Sequence, residues 1–237
     1  MDGPWPSTGL SDNHLLAALP ARDRGRVARH LEAIPLRADA ILFRPGDPLS
    51  AVYFPTRGLL SVLMPTPEGR ALEVGLIGPE GLVGWPLALD STSTPLLTVV
   101  QCGGEALRLS AGAFRAEMDR GGAMQRLVQR YTDVFLNMVL HLAVCGYYHP
   151  LEQRCCFRLL LTSDRVRSDQ FLITQELLAR TLGVRRTSVS AAARGLQADG
   201  LIRYRRGRVH VLDRAGLEAA SCPCYHSLRG KFDRLLQ

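Results

Sequence analysis

The sequence predicts an α+β fold: an N-terminal β-roll with flanking helices, then a long helix, then a basic helical domain at the C-terminus. Three observations carry this reading. Short aliphatic runs separated by Gly and Pro recur from about Arg37 to Leu109, an apolar stripe of helical period runs from Ala123 to Cys145, and two short amphipathic segments meet at Gly183. The 237 residues suffice for two ordinary domains, and a hydrophobic fraction of 46% sets the chain apart from disordered sequences.

In the first section ILF precedes RPGD, AVYF precedes PTRG, LLSVLM precedes PTPEG, ALEVGLIG precedes PEG, and LLTVVQC precedes GGE. Strands of this length, each closed by turn residues, predict an antiparallel barrel or roll of the jelly-roll kind. Helices over Asp12 to Leu31 and Ser110 to Met118 are expected to flank it. In the long helix Met124, Val128, Tyr131, Phe135, Met138 and Leu142 alternate in steps of four and three. That period of 3.5 lets two helices pack side by side, so these six are the expected dimer interface. Leu127, Val134 and Val139 widen the stripe, so the helix is also expected to pack on its own roll. Pro150 in YYHP then ends the helix and opens the next one. The expected boundaries are 1–122 for the roll, 123–147 for the dimerisation helix and hinge, and 148–237 for the C-terminal domain.

Charge follows the same division. Residues 1–150 carry 13 basic and 14 acidic side chains, against 16 and 8 over residues 151–237. A neutral body with a basic end fits a polyanionic partner, since neutralising phosphates releases counterions. The longest apolar run is interrupted by Asn137 and His141, too short and too polar to cross a bilayer. MDGPWPSTGLSDNHLL has no basic start and apolar stretch, so no secretory signal is read and a cytoplasmic location is expected.

The stretch LITQELLARTLGVRRTSVSAAARGLQADGLIRYRRGRVHVL holds the most specific pattern. Thr174 can cap a helix whose first turn holds Glu176, and Gly183 allows the left-handed turn that ends it. Counted from Gln175, Leu178 is fourth, Ala179 fifth, Leu182 eighth, Gly183 ninth, Val184 tenth and Val189 fifteenth. Two helices crossing at a fixed angle need a small residue at the crossing, glycine at the turn and aliphatics around both. A second helix starting near Arg185 then presents Arg185, Arg186, Thr187, Ser188 and Ser190 at its start. Arg186 is placed to read guanine with two donors, Thr187 to meet a thymine methyl or a phosphate, and the serines to let the helix sit deep. In the following hairpin, turning at Arg206-Gly207, the side chains of Arg205, Arg206 and Arg208 are expected on the DNA backbone. Thr174, Arg185, Arg186, Thr187, Ser188, Ser190, Arg205, Arg206 and Arg208 therefore form the expected DNA-binding set.

Six cysteines are too sparse for a disulfide scaffold. Cys222-Pro223-Cys224-Tyr225-His226 offers three metal ligands without a second cysteine pair, so no metal site and no cofactor are expected. Cys155 and Cys156 read as buried packing residues. GPEG and GVRR lack the Lys and Ser/Thr of a phosphate loop, and no Ser/His/Asp or paired-carboxylate arrangement stands out, so no enzyme is expected.

The order of parts, RPGDPLSAVYFPTRGLLSVLM and GPEGLVG, then the long helix, then LGVRRTSVSAAARGLQADGLI, resembles the Crp/Fnr family of transcription regulators. The resemblance implies a cyclic-nucleotide-binding-like sensor domain and a Crp-type winged helix-turn-helix domain. It also implies a homodimer on a palindromic site, with Arg186 at the family's guanine-reading position. Double-stranded DNA and a second copy are the implied partners; RNA polymerase is open as a third, and the effector is unidentified. Members that bind cyclic nucleotides carry an Arg-Ser/Thr-Ala element and a nearby Glu after GxxxG. Here that segment is GWPLALDSTSTPLLTVVQC, and no Arg or Lys lies between Arg70 and Arg108. A buried phosphate without a cation is costly, so no cyclic AMP binding is expected. The iron–sulfur branch uses N-terminal cysteines, and none precedes Cys102. Two alternatives stay open: a cyclic-nucleotide-responsive regulator of the same fold, and an enzyme with a winged-helix appendage.

Overall fold

The computed structural model describes residues 9–69 and 71–235, so the first eight residues of the stretch read as free of a signal lie outside the described residues. The expected α+β architecture is observed. No helix among the described residues is long and apolar enough to cross a membrane.

Two short helices, α1 (His14–Ala17) and α2 (Ala21–Ala28), replace the single expected one, because Pro20 separates them. Buried Asn13 holds α1 in place: its Oδ1 accepts from the Leu15 and Leu16 amides, while its Nδ2 donates to the Pro55 and Gly81 carbonyls. The roll follows with β1 (Leu31–Leu36), β2 (Ile41–Phe43), β3 (Ala51–Pro65), β4 (Ala71–Ile77) and β5 (Leu97–Ser110). The sheet order is β1-β5-β3-β4, with β2 also on β5.

Two expected turns are absent. AVYF-PTRG-LLSVLM is one strand, and LLTVVQC-GG-EALRLS is another. Their glycines serve close approach of backbones. A Cβ at Gly58, where φ is +93°, would come 2.7 Å from the Cys102 carbonyl, and one at Gly104 would overlap the Arg57 carbonyl. Glycine at such a crossing removes a steric barrier while the strand continues.

α3 (Ala111–Asp119) is capped by Ser110, and α4 (Ala123–Tyr148) follows as the longest helix. Pro150 caps α5 (Leu151–Val166), as the YYHP reading requires. Then come β6 (Gln170–Leu172), α6 (Gln175–Leu182), α7 (Arg186–Ala198), β7 (Ile202–Arg205), β8 (Arg208–Val211), α8 (Arg214–Ala219) and α9 (Cys224–Leu235). β6 is not among the strands expected from the sequence, yet it completes a sheet of order β6-β8-β7.

The chain separates into two compact units. One unit comprises the described residues up to Ser61, Ile77–Asp133 and those from Arg234; the other comprises Val62–Leu76 and Val134–Asp233. α4 contributes to both, dividing between Asp133 and Val134. In the second unit the outer half of the β3–β4 hairpin is fastened to α5. Arg158 Nε and Nη2 donate to the two Glu73 carboxylate oxygens at 2.7 and 3.0 Å, and both side chains are 2% exposed. Arg158 Nη1 also donates to Thr162, and Arg165 Nε donates to the Leu76 carbonyl at 3.1 Å.

α4 corrects the expected dimer seam. Met124, Val128, Tyr131, Phe135 and Met138 are all buried within their own chain. Tyr131 covers Gly81 in the first unit, and Phe135 covers Gly75 in the second, where a Cβ would come 2.6 Å from the ring. Leu142 is half-buried. A face occupied by its own core is not available to a second copy. Leu136, Leu140, Val144 and Tyr147 instead stand exposed on the helix, at 55%, 57%, 44% and 82%.

Arg158→Leu removes the guanidinium from a buried carboxylate, so urea unfolding should show a loss of about 3–5 kcal/mol. Adding Glu73→Leu should recover most of it, because the charge left behind, more than the pair itself, carries the cost.

Candidate nucleic-acid interface

α6 and α7 assemble as the spacing predicts. Thr174 Oγ1 accepts from the Leu177 amide at 3.0 Å, capping α6. Gly183 ends it in the left-handed region at φ 67°, ψ 33°, and its amide donates to the Arg180 carbonyl. Leu178, Ala179, Leu182, Val189, Ala192, Ala193 and Leu196 are buried and hold the crossing. Arg154 on α5 donates to the Leu182 carbonyl at 2.5 Å, satisfying a carbonyl near the end of α6.

Arg185 is the N-cap of α7, one position before the expected helix start becomes helical. Arg185, Arg186 and Thr187 are exposed at the start of α7, where the helix dipole has its positive end. Thr174 is exposed too; its cap uses an oxygen lone pair and leaves the hydroxyl proton to donate. Ser188 is half-buried. Ser190 departs from expectation: its Oγ lies 2.6 Å from Gln175 Oε1 and 3.0 Å from the Arg186 carbonyl, so its proton is engaged inside the protein. It ties α7 to the start of α6. Gln175 was missed in the sequence, because a glutamine at a helix start carries no signal until its partner is known.

The hairpin is a tight two-residue turn. Arg206 and Gly207 both take positive φ, 50° and 76°, which is the type I′ geometry matched to twisted strands. Arg205, Arg206 and Arg208 are exposed around it. Three bonds hold this wing to the helix pair. Ile173 N donates to the Gly207 carbonyl at 2.8 Å, Tyr204 Oη to the Ile173 carbonyl at 2.5 Å, and Tyr204 N to Gln197 Oε1 at 2.9 Å. The phenol of Tyr204 is pushed well above its ordinary range by burial and stays a neutral donor. Thr174, Arg185, Arg186, Thr187, Arg205, Arg206 and Arg208 thus stand on exposed positions of the helix pair and its wing, with Ser188 and Ser190 half-buried and the Ser190 hydroxyl already engaged.

The serine/threonine segment of the roll is ordered by backbone bonds. Gly46 and Leu49 amides donate to the Thr94 and Thr92 carbonyls at 2.8 and 2.9 Å. Ser91 is half-buried, Thr92 and Ser93 are exposed, and Thr94 is buried with Oγ1 accepting from Leu96 N. Burial pushes the Cys155 and Cys156 thiols up to about 12, so both are inert packing residues. Among the described residues, one group is spaced to hold a metal: Cys145, His149, Cys222 and Cys224. The Cys145 thiol is pushed up as it hydrogen-bonds to Cys222, and the same bond draws the Cys222 thiol down. His226, which the sequence places beside the cysteines, is exposed and outside the group.

Two family models match the chain: a cyclic nucleotide-binding domain over residues 33–120 and a Crp-like helix-turn-helix domain over residues 153–220. No curated protein sequence matches it. A transcriptional regulator of the crp/fnr family from Eubacterium rectale is similar in structure, with a TM-score of 0.67 at 17% identity over 87% of this chain and 96% of that one. FixK2 from Bradyrhizobium japonicum gives 0.68 at 15% identity, over 81% and 98%. The c-di-GMP responsive regulator CLP from Xanthomonas campestris gives 0.65 at 20% identity, over 82% and 100%. At these identities the likeness establishes a shared fold.

Arg206 occupies a turn position that favours Gly or Asn, so Arg206→Gly should raise stability by up to about 1 kcal/mol in thermal denaturation.

Proposed function

This chain belongs to the Crp/Fnr family of DNA-binding transcription regulators, and on that premise we propose that two copies grip a palindromic site in duplex DNA. The observation that carries the reading is the exposed start of α7, headed by Arg185 and Arg186 and flanked by the arginines of the wing. Arg186 reads a guanine edge through O6 and N7, and Thr187 contacts a thymine methyl or a phosphate. Thr174, Arg185, Arg205, Arg206 and Arg208 hold phosphates and set the register. Ser188 lets the helix approach closely, while Ser190 keeps α7 fixed on α6.

The dimer forms through Leu136, Leu140, Val144 and Tyr147, the apolar stripe that α4 leaves exposed. Spacings of four, four and three return this stripe to one side of the helix, as pairing of two α4 helices requires. Two α7 helices related by a two-fold axis then enter successive major grooves about 34 Å apart. The regulator works inside the cytoplasm and carries no catalysis; contact with RNA polymerase follows if it activates transcription.

The roll has the fold of a cyclic nucleotide-binding domain without its charge partner. No basic residue lies between residues 71 and 107, the region that includes Ser91 to Thr94. The effector is therefore not a cyclic nucleotide monophosphate. The competing reading, a cyclic-nucleotide-responsive regulator, requires a guanidinium or ammonium from elsewhere to face the phosphate.

Three measurements test this. Arg186→Ala should weaken binding to a selected genomic site by about 1–3 kcal/mol while barely changing affinity for random DNA; equal losses on both would make it a phosphate contact. Leu140→Asp should shift the chain to monomer in sedimentation and weaken the specific complex by about 10-fold or more, as loss of a central interface residue does. Calorimetric titration with cyclic AMP or cyclic GMP should give no binding heat, and saturable binding would overturn the assignment of the roll.

A further inference from the structure

The end of α4 and the start of α9 bring together four ligands that the chain holds far apart. Cys145 and His149 lie one helical turn apart, and the His149 amide donates to the Cys145 carbonyl at 3.2 Å, so both side chains leave the same side. Cys222 and Cys224 flank Pro223, whose fixed backbone angle limits the pair to few arrangements. All four ligand atoms lie within 4.8 Å of one another. Cys145 Sγ is 3.4 Å from Cys222 Sγ, and His149 Nδ1 is 3.9 Å from Cys224 Sγ. A tetrahedral ion at 2.0–2.3 Å from nitrogen and sulfur holds its ligands about 3.5–3.8 Å apart. We propose that Cys145, His149, Cys222 and Cys224 bind one Zn2+ ion in a Cys3His tetrahedron that clasps the end of α4 to the start of α9.

The donor set selects the ion. Three thiolates and an imidazole favour zinc over magnesium or calcium, which take oxygen ligands. Four protein ligands close the coordination sphere, so the site is structural, with no open position for a reacting water. On binding, three thiols release their protons to solvent and the imidazole binds as its neutral form, giving a site of net charge −1. Burial pushes the Cys224 thiol up, and the positive end of the twelve-residue helix it begins offsets part of that cost for the thiolate. The three cysteines are buried and His149 is half-buried, so the histidine side is the way in for the ion.

A disulfide between Cys145 and Cys222 would account for two of the four residues only. It would leave a histidine and a third thiol converging on the same point for no purpose. A cluster of several irons would spread its ligands further than this compact group. One ion uses all four. The clasp stands beside the Tyr148–Pro150 junction that ends α4, so it fixes how far that helix runs before α5 begins.

Cobalt titration of the full chain, reduced and stripped with chelator, tests the proposal independently of DNA binding. One Co2+ per chain should enter with the visible bands of a tetrahedral thiolate site, and one Zn2+ should displace it. His149→Ala and Cys224→Ser should each lose stoichiometric binding, with circular dichroism showing that the helices remain. Arg186→Ala, outside the site, should bind one ion as before. An octahedral spectrum in the reduced wild-type chain would overturn the proposal. So would unchanged stoichiometry in a Cys222→Ser/Cys224→Ser double variant, or a metal-free chain recovered under anaerobic conditions with Cys145 and Cys222 joined.

Discussion

The buried ion pair between Arg158 and Glu73 is the constraint on which the second unit depends. Two charges at 2% exposure are tolerable only when each oxygen and each donor is engaged, and a single displacement would leave one charge in a medium that solvates it poorly. Arg158, Thr162 and Arg165 lie four and three residues apart, so one side of α5 carries the whole polar contact to the strand holding Glu73 and Leu76. Another side of α5 is apolar: Cys156, Leu159 and Leu160 are buried, and the helix packs on α6, α7 and α8. One helix therefore serves as the base of the helix pair and as the anchor of the hairpin. The bond is directional where the apolar packing is not, so it selects one rotation of α5 about its axis.

Rigidity at the DNA-facing end has the same origin. The Gly207 carbonyl, the Tyr204 phenol and Gln197 connect the wing to the helix pair, and Ser190 connects α7 to α6 through Gln175. Each is a polar group paired within the protein. The exposed guanidinium groups around them are thereby presented from a bonded frame, and holding them there lowers the entropy lost in the proposed complex. Ser190 shows how a residue of the right type at the right position can be part of the frame while its neighbours face outward.

α4 shows a different economy. It is apolar on two sides, one turned to its own core with steps of four and three, and one turned to solvent with steps of four, four and three. Periodicity identifies such a helix but not which side a neighbour covers. Gly75 and Gly81 settle it, because the absence of a side chain at those positions admits Phe135 and Tyr131. The consequence is that Leu136, Leu140 and Val144 remain outside, and the helix has a surface left for a partner.

By itself the sequence determined the class of the fold, the order of its parts, the helix-turn-helix with its Thr174 cap and Gly183 turn, and the Arg206-Gly207 hairpin. These depend on backbone geometry within a few residues, and the residues that permit it are few enough to read. Only the tertiary structure decided that Gly58 and Gly104 mark a close approach of neighbouring strands, that Met124, Val128, Tyr131, Phe135 and Met138 face inward, that the Ser190 hydroxyl is engaged by Gln175, and that His149 joins the cysteines where His226 does not. Each of those outcomes depends on which distant segment arrives at a given face, and that is set by the packing of the whole chain, which local spacing does not encode.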